Sequence, residues 1–376
     1  MKKGVNGFLS AFLLLVTMVS GCIPSEMEAE ATEIATSIVS ITAIPSPTIT
    51  VTPATPSAPP SPPATSTLTL SLTPNIVEEG PLLTFTIWEN NTSFVYACSV
   101  GCLDQAVLCV GEMKLLFEIQ NINLSDTHWS PDGNKLAFEG EYESDAEKIQ
   151  DIFIIDYDGQ NLINISNVVN NTTNNEFRTF ASSPHWSPDG TTIAYNLCHL
   201  GCKVNSINLE LGVINQLLEK IQSTDIRLGG WSPSGEQMVF TMDDISGNSQ
   251  VFISELDGAN LIQITDTLED NYSASFSPNG DWVLVNRAFS AEGLPFFSSL
   301  YIISMDGTGE RRLTDDEKFY LATSSWHPDS RWIPVIGETG PQTGQIYLIN
   351  IDGKVFPLNL EPGKYFNPSF APSQKP

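Results

Sequence analysis

Beyond about residue 81 the chain is a succession of short apolar runs separated by turn residues, and apolar spacing of helical period is almost absent. Ile152-Phe153-Ile154-Ile155, Val251-Phe252-Ile253, Leu300-Tyr301-Ile302-Ile303 and Ile346-Tyr347-Leu348-Ile349 are runs of strand length rich in β-branched and aromatic residues. Each runs into an Asp-Gly pair, at Asp158-Gly159, Asp257-Gly258, Asp306-Gly307 and Asp352-Gly353. Tight hairpins favour that pair. A further short strand is expected at Leu162 to Ser166, Leu261 to Thr265 and Arg311 to Thr314.

Upstream of each such hairpin stands an aromatic residue, a turn and another strand. The series is Trp129-Ser130-Pro131-Asp132-Gly133, Trp186-Ser187-Pro188-Asp189-Gly190, Trp231-Ser232-Pro233-Ser234-Gly235 and Phe276-Ser277-Pro278-Asn279-Gly280. A decayed copy is Trp326-His327-Pro328-Asp329-Ser330, and Phe370-Ala371-Pro372-Ser373 is a fragment. Proline sets φ in these turns and Gly or Asn accepts positive φ. In the best-preserved repeat Ser273 to Phe276 is the first strand, Trp282 to Asn286 the second, Leu300 to Ser304 the third and Arg311 to Thr314 the fourth. Four antiparallel strands every ~45 residues predict an all-β fold, a β-propeller of four-stranded blades.

These residues resemble the WD40-like Pro-Asp (PD40) repeat of TolB-type β-propellers, over residues 81–376. The count is six blades, with seven, the last incomplete, as the alternative. In the first blade Ser93 to Ala97 is expected as the second strand, Ala106 to Val110 as the third and Leu115 to Ile119 as the fourth. Leu83 to Trp88 and Phe366 to Phe370 compete for its innermost place, and the second choice would close the ring by pairing the two chain ends and remove a free edge.

Residues 1–22 read as an address: Lys2 and Lys3 are a basic start and Phe8 to Val16 an apolar stretch too short to span a membrane comfortably. Val19-Ser20-Gly21-Cys22 resembles the lipobox of bacterial lipoproteins, which implies lipidation at Cys22. Residues 23–80 carry Pro45, Pro47, Pro53, Pro56, Pro59, Pro60, Pro62 and Pro63 among Thr, Ser and Ala. That composition predicts a disordered tether, reaching on the order of 150 Å at ~3.1 Å per residue. The expected location is the cell envelope, on the extracytoplasmic side of a bacterial membrane.

The chain holds 44 acidic against 17 basic residues, a net charge of −27, which argues against nucleic acid as a partner. Cys98-Ser99-Val100-Gly101-Cys102 and Cys198-His199-Leu200-Gly201-Cys202 share one pattern, each expected between a second and a third strand. Glycine permits the tight return, so in an oxidising compartment they read as two disulfides, 98–102 and 198–202. Cys109, at an apolar strand position, is left as a buried thiol.

His128 and His185 hold the same repeat position, just before the aromatic, where other repeats carry Gly230, Ser275, Ser325 and Ser369. First strands border the channel, so the two imidazoles are candidates for a channel or metal site. Propeller lyases that resemble this fold hold a metal with channel histidines, yet a protein metal site needs three or more ligands. No Gly-x-Ser-x-Gly elbow is present, and the acid pairs Asp243-Asp244 and Asp315-Asp316 fall in loops or near strand ends. No catalytic residue and no cofactor is assigned. Phe289, Phe296 and Phe297, in the segment around Pro295, are candidates for partner contact. The reading is a non-catalytic, membrane-anchored scaffold for an unknown protein or peptide. The alternatives are a metal-assisted lyase or hydrolase acting on a saccharide or peptide in the channel, and a ligand sensor signalling through a partner.

Overall fold

The computed structural model describes residues 81–101, 109–110, 112–144, 147–167, 179–289, 297–314, 320–322, 325–340, 343–358, 360 and 364–372. The leader 1–22, the tether 23–80, Cys22, Cys102 and Phe296 lie outside them.

The described chain folds into six antiparallel sheets of four blade strands each. Blade 2 holds Asn123–Trp129, Lys135–Ser144, Glu147–Asp156 and Ile163–Asn164, from the inside outward. Blade 3 holds Phe180–Trp186, Thr192–Cys198, Cys202–Asn208 and Ile214–Gln216. Blade 4 holds Ile226–Trp231, Gln237–Asp243, Ser249–Glu255 and Ile262–Gln263. Blade 5 holds Asn271–Phe276, Trp282–Phe289, Phe297–Ser304 and Arg311–Arg312. Blade 6 holds Tyr320–Ala322, Trp332–Gly340, Thr343–Asn350 and Val355–Pro357.

Blade 1 is composite and corrects the expected strand order. Phe366–Phe370 is innermost, and Leu82–Glu89 is the second strand. Thr92–Gly101 is therefore the third strand rather than the second, and Lys114–Gln120 the fourth. Cys109–Val110, expected within the third strand, pairs only with Val100 and Gly101 at that strand's end. The cause is the ring closure: once the C-terminal strand takes the inner place, Leu82–Glu89 and Thr92–Gly101 each move outward by one, and Lys114–Gln120 keeps the expected fourth place. Ala371 N donates to Leu82 O at 2.8 Å, and Thr84 Oγ1 donates to Ser369 O at 3.0 Å, so both chain ends contribute to one sheet.

The core is distributed between blades, because both faces of each sheet are covered by a neighbour. Leu136, Phe138, Phe153 and Ile155 of blade 2 pack with Val95, Phe117 and Ile119 of blade 1. The residues between them, Ala137, Ile152 and Ile154, face Ala181, Trp186, Ile193 and Tyr195 of blade 3. The same alternation repeats round the ring and returns to blade 1, where Leu83, Phe85 and Phe370 meet Ile346 and Leu348 of blade 6. Strand side chains alternate faces, so a strand buried on both sides has to be apolar at nearly every position.

The repeated turn is stapled by its own polar residues. Ser130 Oγ donates to Asp132 Oδ1 at 2.6 Å and accepts from Lys135 N at 2.9 Å, while Gly133 N donates to Ser130 O at 2.9 Å. Gly133, Gly190, Gly235 and Gly280 all have φ between +71° and +77°, conformations that cost an L side chain strain. The decayed copy in blade 6 keeps the same turn. Ser330 takes the glycine's place at φ 63°, and His327 the serine's, with its Nδ1 2.7 Å from Asp329 Oδ1. Ser330 Oγ in turn accepts from Asn279 N of blade 5 at 2.9 Å.

Candidate functional site

The inner strands of blades 2 and 3 each end in a histidine, an aromatic and the turn, and each is interrupted upstream by a bulge. In Asn123–Trp129 the pairing with the second strand shifts between Ser125 and His128, and Asp126 adopts φ 45°. In Phe180–Trp186 a shift occurs between the partners of Ala194 and Asn196, and Ser183 adopts φ 52°. Asn367 of blade 1 takes φ 49° three residues before its aromatic, the spacing of Asp126 and Ser183. A bulge re-aims side chains, and in blade 2 Asp126 stands against His128, two residues on.

The tryptophans carry the blade-to-blade link. Trp186 Nε1 donates to the carbonyl of His128 at 3.1 Å, and Trp231 Nε1 to that of His185 at 3.2 Å. Held in this way, the imidazoles of His128 and His185 stand with ring centroids 4.2 Å apart and planes inclined by 53°. His128 Nε2 lies 3.2 Å from Asp126 Oδ1, with 13% of the histidine and 28% of the aspartate side chain exposed. His185 is 7% exposed. Gly230, at the histidine's repeat position in blade 4, packs closely against it: a Cβ there would stand 3.1 Å from His185 Nδ1.

Glu139 completes the cluster from the second strand of blade 2. Its carboxylate accepts from Ser183 N of blade 3 at 2.8 Å, from Gln150 Nε2 at 3.1 Å and from Ser125 Oγ at 3.3 Å. Gln150 Nε2 also donates to Ala181 O at 3.2 Å, so the pair ties the two blades together. Blade 3 uses Asn196 at the same repeat position: its Oδ1 accepts from Leu228 N at 2.8 Å and its Nδ2 donates to Ile226 O at 2.7 Å, both in blade 4.

The electrostatics follow from this packing. Burial, reinforced by the charge of Asp126, pushes Glu139 up to about 8. Burial also pushes Asp126 up, but the hydrogen bond and charge of His128, the charge of His185 and the Ser183 hydroxyl outweigh it and hold the carboxyl below its ordinary range. Burial and the charge of His128 lower His185 to about 3, against an opposing pull from Asp126. At neutral pH the cluster thus presents an ionised Asp126, a protonated Glu139 and a neutral His185.

Among the described residues no group of three or more His, Cys, Asp or Glu is spaced to hold a metal ion. His327, one residue further along its repeat, is engaged with Asp329 and packs edge-on against Phe370, so it stands apart from the pair. Cys198 and Cys202 are cross-registered at the ends of the second and third strands of blade 3 and joined by a disulfide, Cα–Cα 4.1 Å. Cys98 lies in the third strand of blade 1, not between second and third, because the strand order is shifted there. It is buried opposite Leu83, and the 98–102 pairing falls outside the described residues with Cys102. Phe289 and Phe297 pair at the ends of their strands, and their side chains, like Phe296, fall outside the described residues.

Sequence reasoning missed Asp126, Glu139, Gln150 and Ser183. One signal was available. Counting ten residues on from the aromatic gives Glu139, Asn196, Thr241 and Asn286 in successive blades, a polar position inside otherwise apolar strands. Glutamate is the one acid in that series.

No family model matches the chain. An uncharacterized protein of Agrobacterium fabrum is 26% identical over 179 residues, 44% of this chain and 55% of that protein, so the chain spans about half the length of the curated relative it matches. Among solved structures, TolB from Acinetobacter baumannii aligns with a TM-score of 0.57 at 16% identity, covering 78% of this chain and 67% of that one. Hydrazine synthase of Kuenenia stuttgartiensis aligns with a TM-score of 0.55 at 13% identity, covering 79% of this chain and 47% of that one. At these identities the likeness is one of fold, and the six blades make this chain a six-bladed β-propeller of the architecture TolB also has.

Proposed function

We propose that the chain is an extracytoplasmic scaffold, held at a bacterial membrane by lipidated Cys22, whose propeller binds a protein or peptide partner without transforming it. The observation that carries the reading is the inner-strand cluster of Asp126, His128 and His185. Asp126 and His128 keep partial access to solvent, while Ser275 and Ser325, at the histidines' repeat position, are buried and accept hydrogen bonds from Trp326 Nε1 and Phe370 N. A rigid ring with polar departures at one place on its inner strands suits recognition, because loops and inner faces on a fixed scaffold lose little freedom on binding. The tether, at about 3.1 Å per residue, would let the ring range far from the bilayer.

Two experiments test the halves of this reading. Growth with an alkyne-bearing fatty acid should label the full chain, and Cys22→Ser should abolish the label; an unlabelled wild-type chain would remove the anchor. Metal content of the purified chain tests the rival. A stoichiometric ion that disappears in both His128→Ala and His185→Ala would favour the metal-assisted lyase or hydrolase over the scaffold.

A further inference from the structure

Of the chain's six arginines three stand in blade 5: Arg287, Arg311 and Arg312. Arg311 and Arg312 form its outer strand, the open edge of that sheet, and both are exposed. Strand register shows them to be a departure from the repeat. Arg311 lies opposite Ile302, where blades 2, 4 and 6 set Ile163, Ile262 and Phe356 opposite Ile154, Ile253 and Leu348. Arg312 lies opposite Tyr301, where the same blades carry Asn164, Gln263 and Pro357. Each guanidinium is seated on an aromatic ring. That of Arg311 is 5.2 Å from the centroid of Trp282, and that of Arg312 is 5.9 Å from the centroid of Tyr301. Successive side chains of a strand point to opposite faces, so the two cations straddle the edge. The acids nearest in sequence are already engaged. Glu310 is held by Arg287 Nη1 and Nη2 at 2.9 and 2.7 Å, and Asp306 accepts from Thr308 N and Oγ1 at 2.9 and 2.6 Å. Arg311 makes no ion pair among the described residues. On a chain of net charge −27 this edge is a local inversion of sign, which an acidic segment meets with attraction here and repulsion over most of the surface.

We propose that the outer strand of blade 5 is a docking edge for an extended acidic segment of a protein partner, in which two consecutive carboxylates, one on each face, pair with Arg311 and Arg312. This edge is distinct from the inner-strand cluster that carries the scaffold reading, so either can fail alone. An extended segment laid along an open edge adds to the sheet. Its successive side chains then stand opposite Arg311 and Arg312 at about 5 Å between Cβ atoms, within reach of a carboxylate. The planar guanidinium receives a carboxylate through two parallel hydrogen bonds, and seating on Trp282 and Tyr301 limits the freedom each arginine loses on binding.

The test titrates the full chain with a blocked Thr-Val-Glu-Glu-Val-Thr peptide and follows the arginine ¹⁵Nε signals. The same peptide with Gln-Gln in place of Glu-Glu is the control. The expected result is a saturable shift of the Arg311 and Arg312 signals with the acidic peptide and none with the control, while Arg287, already paired with Glu310, stays in place. The double variant Arg311→Ile with Arg312→Asn copies the Ile163–Asn164 outer strand of blade 2, so the sheet receives residues the ring already uses there. It should bind the acidic peptide at least roughly tenfold more weakly, the worth of one charge-assisted bond. Unmoved arginine signals, equal shifts with the control peptide, or undiminished affinity in the double variant would each overturn the docking edge. Phosphatidylglycerol vesicles that move both signals where the peptide moves neither would overturn it as well, and would assign the arginine pair to anionic lipid.

Discussion

Glu139 is where one residue carries the most consequence. Its folded pKa, raised to about 8 from an ordinary 4.5, means that the native state favours the protonated acid. That contribution is complete below the unfolded value and is lost as pH rises through the folded one. His185 runs the other way: lowered to about 3, it favours the native state above the ordinary histidine range and withdraws that support on acidification. Glu139→Gln should therefore flatten the decline of stability that runs from the ordinary glutamate range up to about pH 8, and be the more stable chain above it. Thermal melts across that range check it, and parallel profiles for the two chains would contradict it. Asn196 of blade 3 performs the same bridging with a neutral amide, so the substitution copies a solution the ring already uses. This position was readable in the sequence as a polar residue ten after the aromatic of blades 2 to 5, replaced by Ile336 in blade 6. What was not readable is that Glu139 and Asp126 converge on one blade interface, because that depends on bulges whose place no apolar pattern announces. The approach of His128 and His185, by contrast, followed from their shared repeat position once first strands were placed innermost.

At the scale of elements, the repeat grammar accounts for most of the fold. Strand, Ser-Pro-Asp-Gly turn, strand, strand, Asp-Gly hairpin and short outer strand recur because each blade must cover both faces of its neighbours. Blade 1 was misplaced by one strand because its alternation fits two positions in a sheet, and the deciding partner lies at the far end of the chain. Close approach between blades gives a sharp prediction. A Cβ at Gly229 would stand 2.2 Å from the carbonyl oxygen of Ala274 in blade 5. Gly229→Ala should cost more than the 1–3 kcal/mol typical of overpacking, since backbone rather than a side chain must yield; a denaturant midpoint unchanged from wild type would refute it. The blade 3 disulfide closes a tiny loop, and chain entropy gives such a closure about 2 kcal/mol. Cys198→Ala with Cys202→Ala should thus leave a folded ring, with a midpoint lowered by no more than that amount.

For the whole molecule, stability resides in closure. The apolar clusters run between blades and around the ring, and the last of them is completed by Phe370 from the C-terminal strand. Phe370 N donates to Ser325 Oγ of blade 6 at 2.9 Å, and Pro372 lies 3.8 Å from where a Cβ on Gly133 of blade 2 would be. A chain truncated before Phe366 should lose cooperative unfolding and expose Leu83 and Phe85, both fully buried in the closed ring. Dye binding and a broadened melt would register that loss.

A closed, rigid ring with one polar departure near its axis is the basis for reading the chain as a scaffold. The most direct measurement places a photoreactive amino acid at Ser183, beside the cluster, and another at Leu211 on the outer rim, in the full chain expressed in its native host. The account predicts a discrete protein or peptide adduct at position 183 that is absent at position 211. Adducts at the rim alone, or none at either position, would contradict it.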